Sequence, residues 1–273
     1  MSDASVSSNI LGTIGTVFWC IQLVPQIWYN WRRKTTEGLP PLMMFLWAVS
    51  GVPFGIYFIV AEANIPVQVQ PEIFMFFSAI SWAQTLYYPP NARPLKQVLI
   101  VFGVFIIICA GVMVACIIPL KPVYERGTTW PNLIFGISAS VLLLLGLIPP
   151  YIELAKRQGR VVGINFVFLC FDSMGAIFSL LSLVVDRTFD IMGGVLYIIV
   201  LVLELGIMTS HLVWLIRRKY YPNTLRADAF EDDKPDTQMT TELEVCEVPK
   251  DAANSNESDS SISFASPETD NKC

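Results

Sequence analysis

The sequence predicts an all-α integral membrane protein of seven transmembrane helices, built as two parallel three-helix repeats joined by a linking helix. Three observations predict it. Hydrophobic residues make up 53% of the chain and charged residues only 15%, with a mean hydropathy of +0.54, too apolar for a water-soluble domain of this length. Basic residues are sorted between alternate connectors, as the positive-inside rule requires of a chain that crosses a bilayer repeatedly. The sequence also aligns with itself at one offset, 125 residues.

A helix needs about 20 apolar residues to cross the hydrocarbon layer, and irregular backbone cannot face lipid. The runs that qualify are 10–30, 40–61, 72–88, 97–119, 131–152, 163–185 and 191–216. Residues 1–9 hold no Lys or Arg and no small-residue cleavage site follows the first run, so it is expected to remain as a helix and not to act as a removable signal. The first run reaches Pro25 near its end, and the second opens after Gly38. The third, EIFMFFSAISWAQTLYY, is the shortest and most polar. The fourth links the halves. The fifth reaches Pro149 and Pro150, the sixth opens at Gly163, and the seventh ends on Arg217, Arg218 and Lys219. The expected organisation is a short N-terminus (1–9), a first repeat (10–88), the linking helix with its loops (89–130), a second repeat (131–216) and a tail (217–273).

One set of connectors carries Arg32, Arg33, Lys34, Arg93, Lys96, Lys156, Arg157, Arg160, Arg217, Arg218 and Lys219, against only Lys121, Arg126 and Arg187 in the other. The first set is therefore expected in the cytosol, with the N-terminus in a lumen or outside. Residues 1–219 hold 14 basic and 10 acidic side chains, a net +4; residues 220–273 hold 4 and 13, a net −9. Such a tail buries too little apolar surface to offset the entropy of ordering it, so it reads as a disordered cytosolic extension, with sorting or regulatory proteins as its candidate partners. Cys20, Cys109, Cys116 and Cys170 fall within apolar runs and Cys246 and Cys273 in the tail, with no Cys-x-x-Cys, so no disulfide or metal chemistry is assigned to them.

At the 125-residue offset Pro25 falls on Pro150, Arg32 on Arg157, Gly38 on Gly163, Leu39 on Ile164 and Leu46 on Phe171. Each copy is an apolar helix reaching a proline, then a basic loop, then a glycine that opens the next helix. Proline inside a helix removes a backbone hydrogen bond and presses on the preceding turn, which makes Pro25, with Gln26, and Pro149 and Pro150 candidate hinges.

Pro25-Gln26 followed by NWRRKTTEGL resembles the signature of the PQ-loop repeat family, which includes cystinosin and the lysosomal and vacuolar cationic amino-acid exporters; the sugar-transporting SWEET proteins share the three-one-three plan. The likeness spans roughly residues 10–216. In the first repeat Pro25, Gln26, Asn30, Arg32, Arg33, Lys34 and Gly38 match. Leu46-Trp47 is similar to the cationic amino-acid branch, which then has an acidic residue where this chain has Gly51. In the second repeat Tyr151 stands where the glutamine belongs, and LCFDSMGAIFSLLS resembles the cystinosin stretch carrying its proton-coupling aspartate, at Asp172. The resemblance implies a carrier whose two bundles rock about the PQ hinges, exporting amino acids with protons from an acidic vacuolar or lysosomal lumen. Some family members are instead linked to trafficking or lipid asymmetry.

Ionisable groups deep in a bilayer are costly and face a cavity or a partner. Asp172, about ten residues into the sixth run, and Glu204, at similar depth in the seventh, are candidate proton carriers. His211, seven residues after Glu204, lies on nearly the same helix face and either passes protons or sits at the interface. Gln22, Tyr57, Gln84 and Asn165, together with Gln26, are candidate substrate-path residues, with interhelical hydrogen bonding as the alternative. Trp28, Trp31, Tyr87, Tyr88, Trp130 and Trp214 suit interfacial belts.

The leading expectation is a proton-coupled secondary transporter of a small polar solute across an internal membrane, an amino acid, with cationic and cystine-like ones among the candidates. A non-transporting scaffold and a seven-helix receptor are the alternatives. Catalysis is not expected, since one histidine, no nucleophile-base arrangement and no phosphate-binding glycine loop are present, and no cofactor or metal is implied. The expected partners are the lipid bilayer, the solute, protons and a possible second copy of the chain; no basic domain supports nucleic-acid binding. The sequon Asn256-Glu257-Ser258 lies in the tail. Expressed in a eukaryotic cell, the chain is predicted to show no endoglycosidase-sensitive mobility shift; modification at Asn256 would reverse the orientation.

Overall fold

A computed structural model describes residues 3–63, 65–185 and 191–220. The expectations for the tail, for Cys246, Cys273 and Asn256, and for Arg187 lie outside the described residues. Among the described residues the chain is helical and has no strand. The helices are α1 (Asp3–Ile21), α2 (Leu23–Arg33), α3 (Pro41–Val60), α4 (Ile65–Tyr87), α5 (Leu95–Glu125), α6 (Trp130–Lys156), α7 (Phe166–Val185) and α8 (Ile191–Tyr220).

Eight helices make seven spans because α1 and α2 form one span, Val6–Arg33, interrupted at Gln22. The interruption follows from Pro25. Its ring presses on the carbonyl four residues back, that of Ile21, and it offers no N–H to accept there. Gln22 itself keeps helical angles, φ −53° and ψ −38°, so the chain bends without unwinding. The second copy behaves differently: α6 runs through Pro149 and Pro150 without a break. There Trp47 of α3 lies across Gly146, the residue whose carbonyl faces the Pro150 ring, and donates its indole N–H to the Leu143 carbonyl at 3.1 Å. The expected equivalence of the two proline sites is corrected accordingly: packing from α3 braces the second one.

Six of the seven spans contain a stretch both long and apolar enough to cross a bilayer. The exception is α4, whose first turns carry Gln68, Gln70 and Glu72, and which the sequence had marked as the most polar run. It begins seven residues earlier than expected.

Within the first repeat, α1 and α3 do not touch; α4 lies between them and packs on both. Within the second, α6 and α7 do not touch, and α8 lies between them. The two triplets therefore share one arrangement, third helix in the middle. They meet through equivalent pairs, α3 against α6 and α1 against α7. α5 packs on α3 and α4, with a minor contact to α6. In α5 only 17% of the apolar window is buried, against 61% in α3, so α5 faces lipid while α3 is the central helix.

The apolar core has two parts. Leu23, Met43, Met44, Trp47, Leu147, Phe168, Leu169 and Ile207 fill the join between the triplets. Val52, Ile56, Val60, Met75, Cys109 and Met113 join α3, α4 and α5. At the basic end Trp31 and Trp214 carry cationic side chains over their rings, Lys34 at 4.4 Å and Arg160 at 5.3 Å, which suits an interfacial belt.

Gly38 and Gly163, paired by the repeat, touch each other across it, and both hold positive φ, 82° and 81°. A Cβ on Gly163 would strike Glu37 and Gly38 backbone; one on Gly38 would strike Val162 backbone. Only glycine permits both the left-handed angle and the approach. Gly163→Ala is predicted to lower stability by on the order of 1–2 kcal/mol from the angle alone, read as a reduced Tm of the purified protein in detergent. An unchanged Tm would contradict this contact.

Candidate functional site

The two triplets enclose a cavity of about 530 Å³. Its lining starts at Ser8 and Asn9 in the first turns of α1 and ends on Trp19, Gln22, Trp47, Leu147 and Asp172. From Ser8 to Gln22 is about 21 Å of helix. Side chains come from α1, α3, α4, α6, α7 and α8; α5 contributes none. The cavity thus occupies the half of the protein away from the basic loops.

Below its floor the triplets are locked together. Gln26, fully buried, donates from Nε2 to the Gly163 carbonyl at 2.8 Å and to Asn30 Oδ1 at 2.9 Å, while its Oε1 accepts the Asn165 backbone N–H at 2.7 Å. Asn165 returns the contact by donating Nδ2 to the Pro25 carbonyl at 3.1 Å, and its Oδ1 caps α7 by accepting the Val167 N–H at 2.8 Å. Asn30 passes the network to Gln84 Oε1 at 2.9 Å, and Gln84 donates to the Ile27 carbonyl at 3.1 Å. Arg157 reaches Glu37 across the same join at 3.5 Å, a half-exposed pair of minor energetic weight.

Asp172 is the ionisable group of the floor. The Gln22 amide nitrogen, oriented as a donor, lies 2.5 Å from Oδ1 and 3.3 Å from Oδ2, and the Trp19 indole is within hydrogen-bonding reach. Glu204 of α8, fully buried, stands behind it in hydrogen-bonding reach. Its Oε2 accepts from Ser173 Oγ at 2.8 Å, and Oε1 has no donor among the described residues. Two ionised carboxylates only accept, so a hydrogen bond between Asp172 and Glu204 requires a proton on one of them.

The depth of Asp172 differs from the expectation. α7 starts at Phe166, not at 163, because Asn165 caps it, so Asp172 is about 9 Å from the basic end of its helix and not at mid-span. His211 is tied to the loop before α7: its Nδ1 accepts the Val161 N–H at 3.2 Å, and its ring stacks on Trp214. Of the four substrate-path residues, Gln22 and Tyr57 line the cavity. Gln84 and Asn165 do not; their side chains belong to the closure beneath it. The hinge candidates Pro25 and Gln26 sit at the closure, whereas Pro149 and Pro150 lie within an unbroken α6.

Some residues escaped sequence reasoning. The 125-residue offset lays Trp47 on Asp172, so the aromatic floor residue of one repeat is the counterpart of the carboxylate of the other; the signal was available. Tyr151, the counterpart of Gln26, turns away from the join and donates to the Leu203 carbonyl at 2.5 Å. Trp19 packs over Gly175 of α7 as Trp47 packs over Gly146 of α6, closing the floor from both sides. Glu72 of α4, not singled out before, faces Gly55 and Met113 away from the cavity. Among the described residues no cluster of His, Cys, Asp and Glu is arranged to hold a metal.

A family model described as PQ loop repeat matches residues 7–67. An uncharacterized membrane protein of Saccharomyces cerevisiae is 47% identical over 258 residues, covering 94% of this chain and 83% of its own. An uncharacterized protein of Schizosaccharomyces pombe is 35% identical over 231 residues, covering 84% and 81%.

Replacing Gln26 with Ala leaves the Asn165 N–H and the Gly163 carbonyl buried without that partner, a cost of about 1–3 kcal/mol for each group. Gln26→Ala is predicted to lower Tm in detergent clearly more than Gln84→Ala, whose network is partly exposed. Equal or negligible losses would deny Gln26 its role in the closure.

Proposed function

Since the chain belongs to the PQ-loop repeat family of membrane proteins, we propose that it is a secondary transporter of a small polar solute working by alternating access. The observation that carries this reading is the cavity itself: it reaches about 21 Å into the protein, ends on a buried carboxyl pair, and is sealed beneath by hydrogen bonds between the two repeats. A scaffold has no use for a solute-sized cavity of mixed polar and apolar lining that terminates on a group as costly to bury as Asp172.

In this reading the described conformation faces the non-basic side, which the distribution of Lys and Arg assigns to a lumen, with the C-terminus cytosolic. An internal membrane of the vacuolar or lysosomal type follows from the resemblance. Opening the other side requires the Gln26 contacts to Gly163 and Asn165 to break and the cavity mouth to narrow. The bend at Gln22 above Pro25 supplies the softest point for that motion, because the turn already lacks a backbone hydrogen bond. Asp172, sharing a proton with Glu204 and touching α1 through Gln22, senses both the aqueous cavity and the helix that moves. That position couples protonation to conformation. Amino acids are the solute class the resemblance implies, and the volume accommodates them.

The test is solute flux in proteoliposomes with an imposed pH gradient, using a panel of labelled amino acids, amines and sugars. Wild type is predicted to carry at least one solute in a gradient-dependent way, and Asp172→Asn to lose that dependence and at least about tenfold of the flux. Gradient-insensitive flux in wild type, or full coupled flux in folded Asp172→Asn, would contradict the proton site.

A further inference from the structure

We propose that the cavity takes an organic monocation bearing no carboxylate, and that this cation exchanges for a proton at Asp172. The inference rests on the transporter reading, sets aside the amino acids that the resemblance implies, and adds the charge class of the solute and the direction of coupling.

The charge of the lining carries it. Among the described residues Asp172 is the only acidic one that lines the cavity, and no Lys, Arg or His lines it. Among the described residues most basic side chains cluster at the opposite end, beyond the Gln26 closure, and the two at the cavity's end, Lys121 and Arg126, are not among its lining residues. A solute carboxylate or phosphate would enter next to Asp172 with no cation to meet it, in surroundings where like charges repel strongly. A cation meets its counter-charge at the floor. Aromatic walls stand on both sides of it: Trp19 with Tyr197, ring centroids 5.1 Å apart, and Trp47 with Phe74, 5.5 Å apart. Aromatic faces replace the hydration of an ammonium or quaternary nitrogen, which water-binding side chains alone do not. Thr16, Ser140 and Ser179 offer neutral hydrogen-bonding groups for the rest of the molecule.

Exchange follows from the carboxyl pair. Asp172 is faced by Trp19 of α1, by Gln22 at the break between α1 and α2, and by Glu204 of α8. Beyond Glu204 stand Ser173 and Cys170 on α7 and Tyr151 of α6. Glu204, Cys170 and Tyr151 are titratable, and none of these groups is a cation at neutral pH. With one proton, Asp172 and Glu204 together carry a single negative charge, which one monocation balances. A second proton forms an O–H bond on Asp172, removes that charge and releases the cation. Cation and second proton are thus alternative occupants, one for one. The matching position of the first repeat is Trp47, so the chain holds one such site. A proton gradient then drives the cation towards the acidic compartment, whereas cotransport would expel it from there.

Three probes of similar shape decide the matter: choline, glycine betaine and the neutral carbon isostere of choline. Binding to the purified full chain is read by quenching of tryptophan emission, since Trp19 and Trp47 wall the floor. Choline is predicted to bind at least about tenfold more tightly than either comparator, its affinity falling roughly tenfold per pH unit where the second proton competes. Asp172→Asn is predicted to abolish the preference and Asp172→Glu, which keeps the charge, to retain it; should the first fail to fold, the second and the pH dependence still decide. In proteoliposomes with an acidic interior, choline is predicted to accumulate inside. Betaine or the isostere binding as well as choline, no binding of any probe, or choline expelled together with protons would each overturn the inference. Flux of an amino acid without choline binding would overturn it while leaving the transporter reading standing. Choline binding in competition with protons, without flux of any solute, would support the site and defeat the transporter reading.

Discussion

Everything in this structure turns on how a polar residue is buried where two apolar helices cross. Gln26 is fully enclosed, and an enclosed amide must satisfy both its donor and its acceptor or lose several kcal/mol, about 1–3 for each unpaired group. Its Nε2 is shared between Asn30 of its own helix and the Gly163 carbonyl of the other repeat, and its Oε1 is met by the Asn165 N–H of that repeat. That demand fixes the position of the loop before α7, which fixes Asn165 as the cap of α7, which sets Asp172 two turns further along the helix, at the cavity floor. The proline beside it frees the Ile21 turn, so the same dipeptide both bends the helix and fastens its end.

The two repeats share a layout and have diverged in chemistry. Each places its third helix between the first two, and each sends its second helix across the join to the other's first. The side chains at equivalent positions then differ. Trp47 seals α6 in one half; Asp172 meets Gln22 in the other. Gln26 crosses the join; Tyr151 bonds within its own triplet. The shared layout encloses the cavity, and this departure from it leaves Asp172, among the described residues, as the one acidic side chain that lines it. An unpaired carboxylate there would be too costly, and the contacts from Glu204, Gln22 and Trp19 make it tolerable.

Much of the fold was legible in the sequence because membrane solvation leaves few choices: long apolar runs become helices, and the prolines, basic loops and glycines recur at one offset. Asp172, Glu204 and Gln22 stood out for the same reason, being polar where polarity is expensive. What was not legible depended on neighbours. The equivalent prolines break one helix and not the other because Trp47 braces α6, a contact across about 100 residues of chain. Composition left Gln84 and Asn165 open between pathway residues and interhelical hydrogen bonding, and only the packing shows the cross-helix bonds they make. The pairing of Asp172 with Glu204 requires knowing that α8 packs beside α7. The early start of α7 was assumed from Gly163, while the cap belongs to Asn165.

The claim on which the account rests is that the closure at Gln26 and the cavity mouth open in alternation. Its most direct test is to measure inter-repeat distances at both ends by double electron-electron resonance in lipid nanodiscs. One label pair, at Arg32 and Arg160, spans the basic end; another, at Ile65 and Val195, spans the mouth. The account predicts two distance populations at each end that shift in opposite senses with pH, the basic end lengthening as the mouth shortens. A single distribution at the basic end, unmoved by pH or by Gln26→Ala, would contradict it.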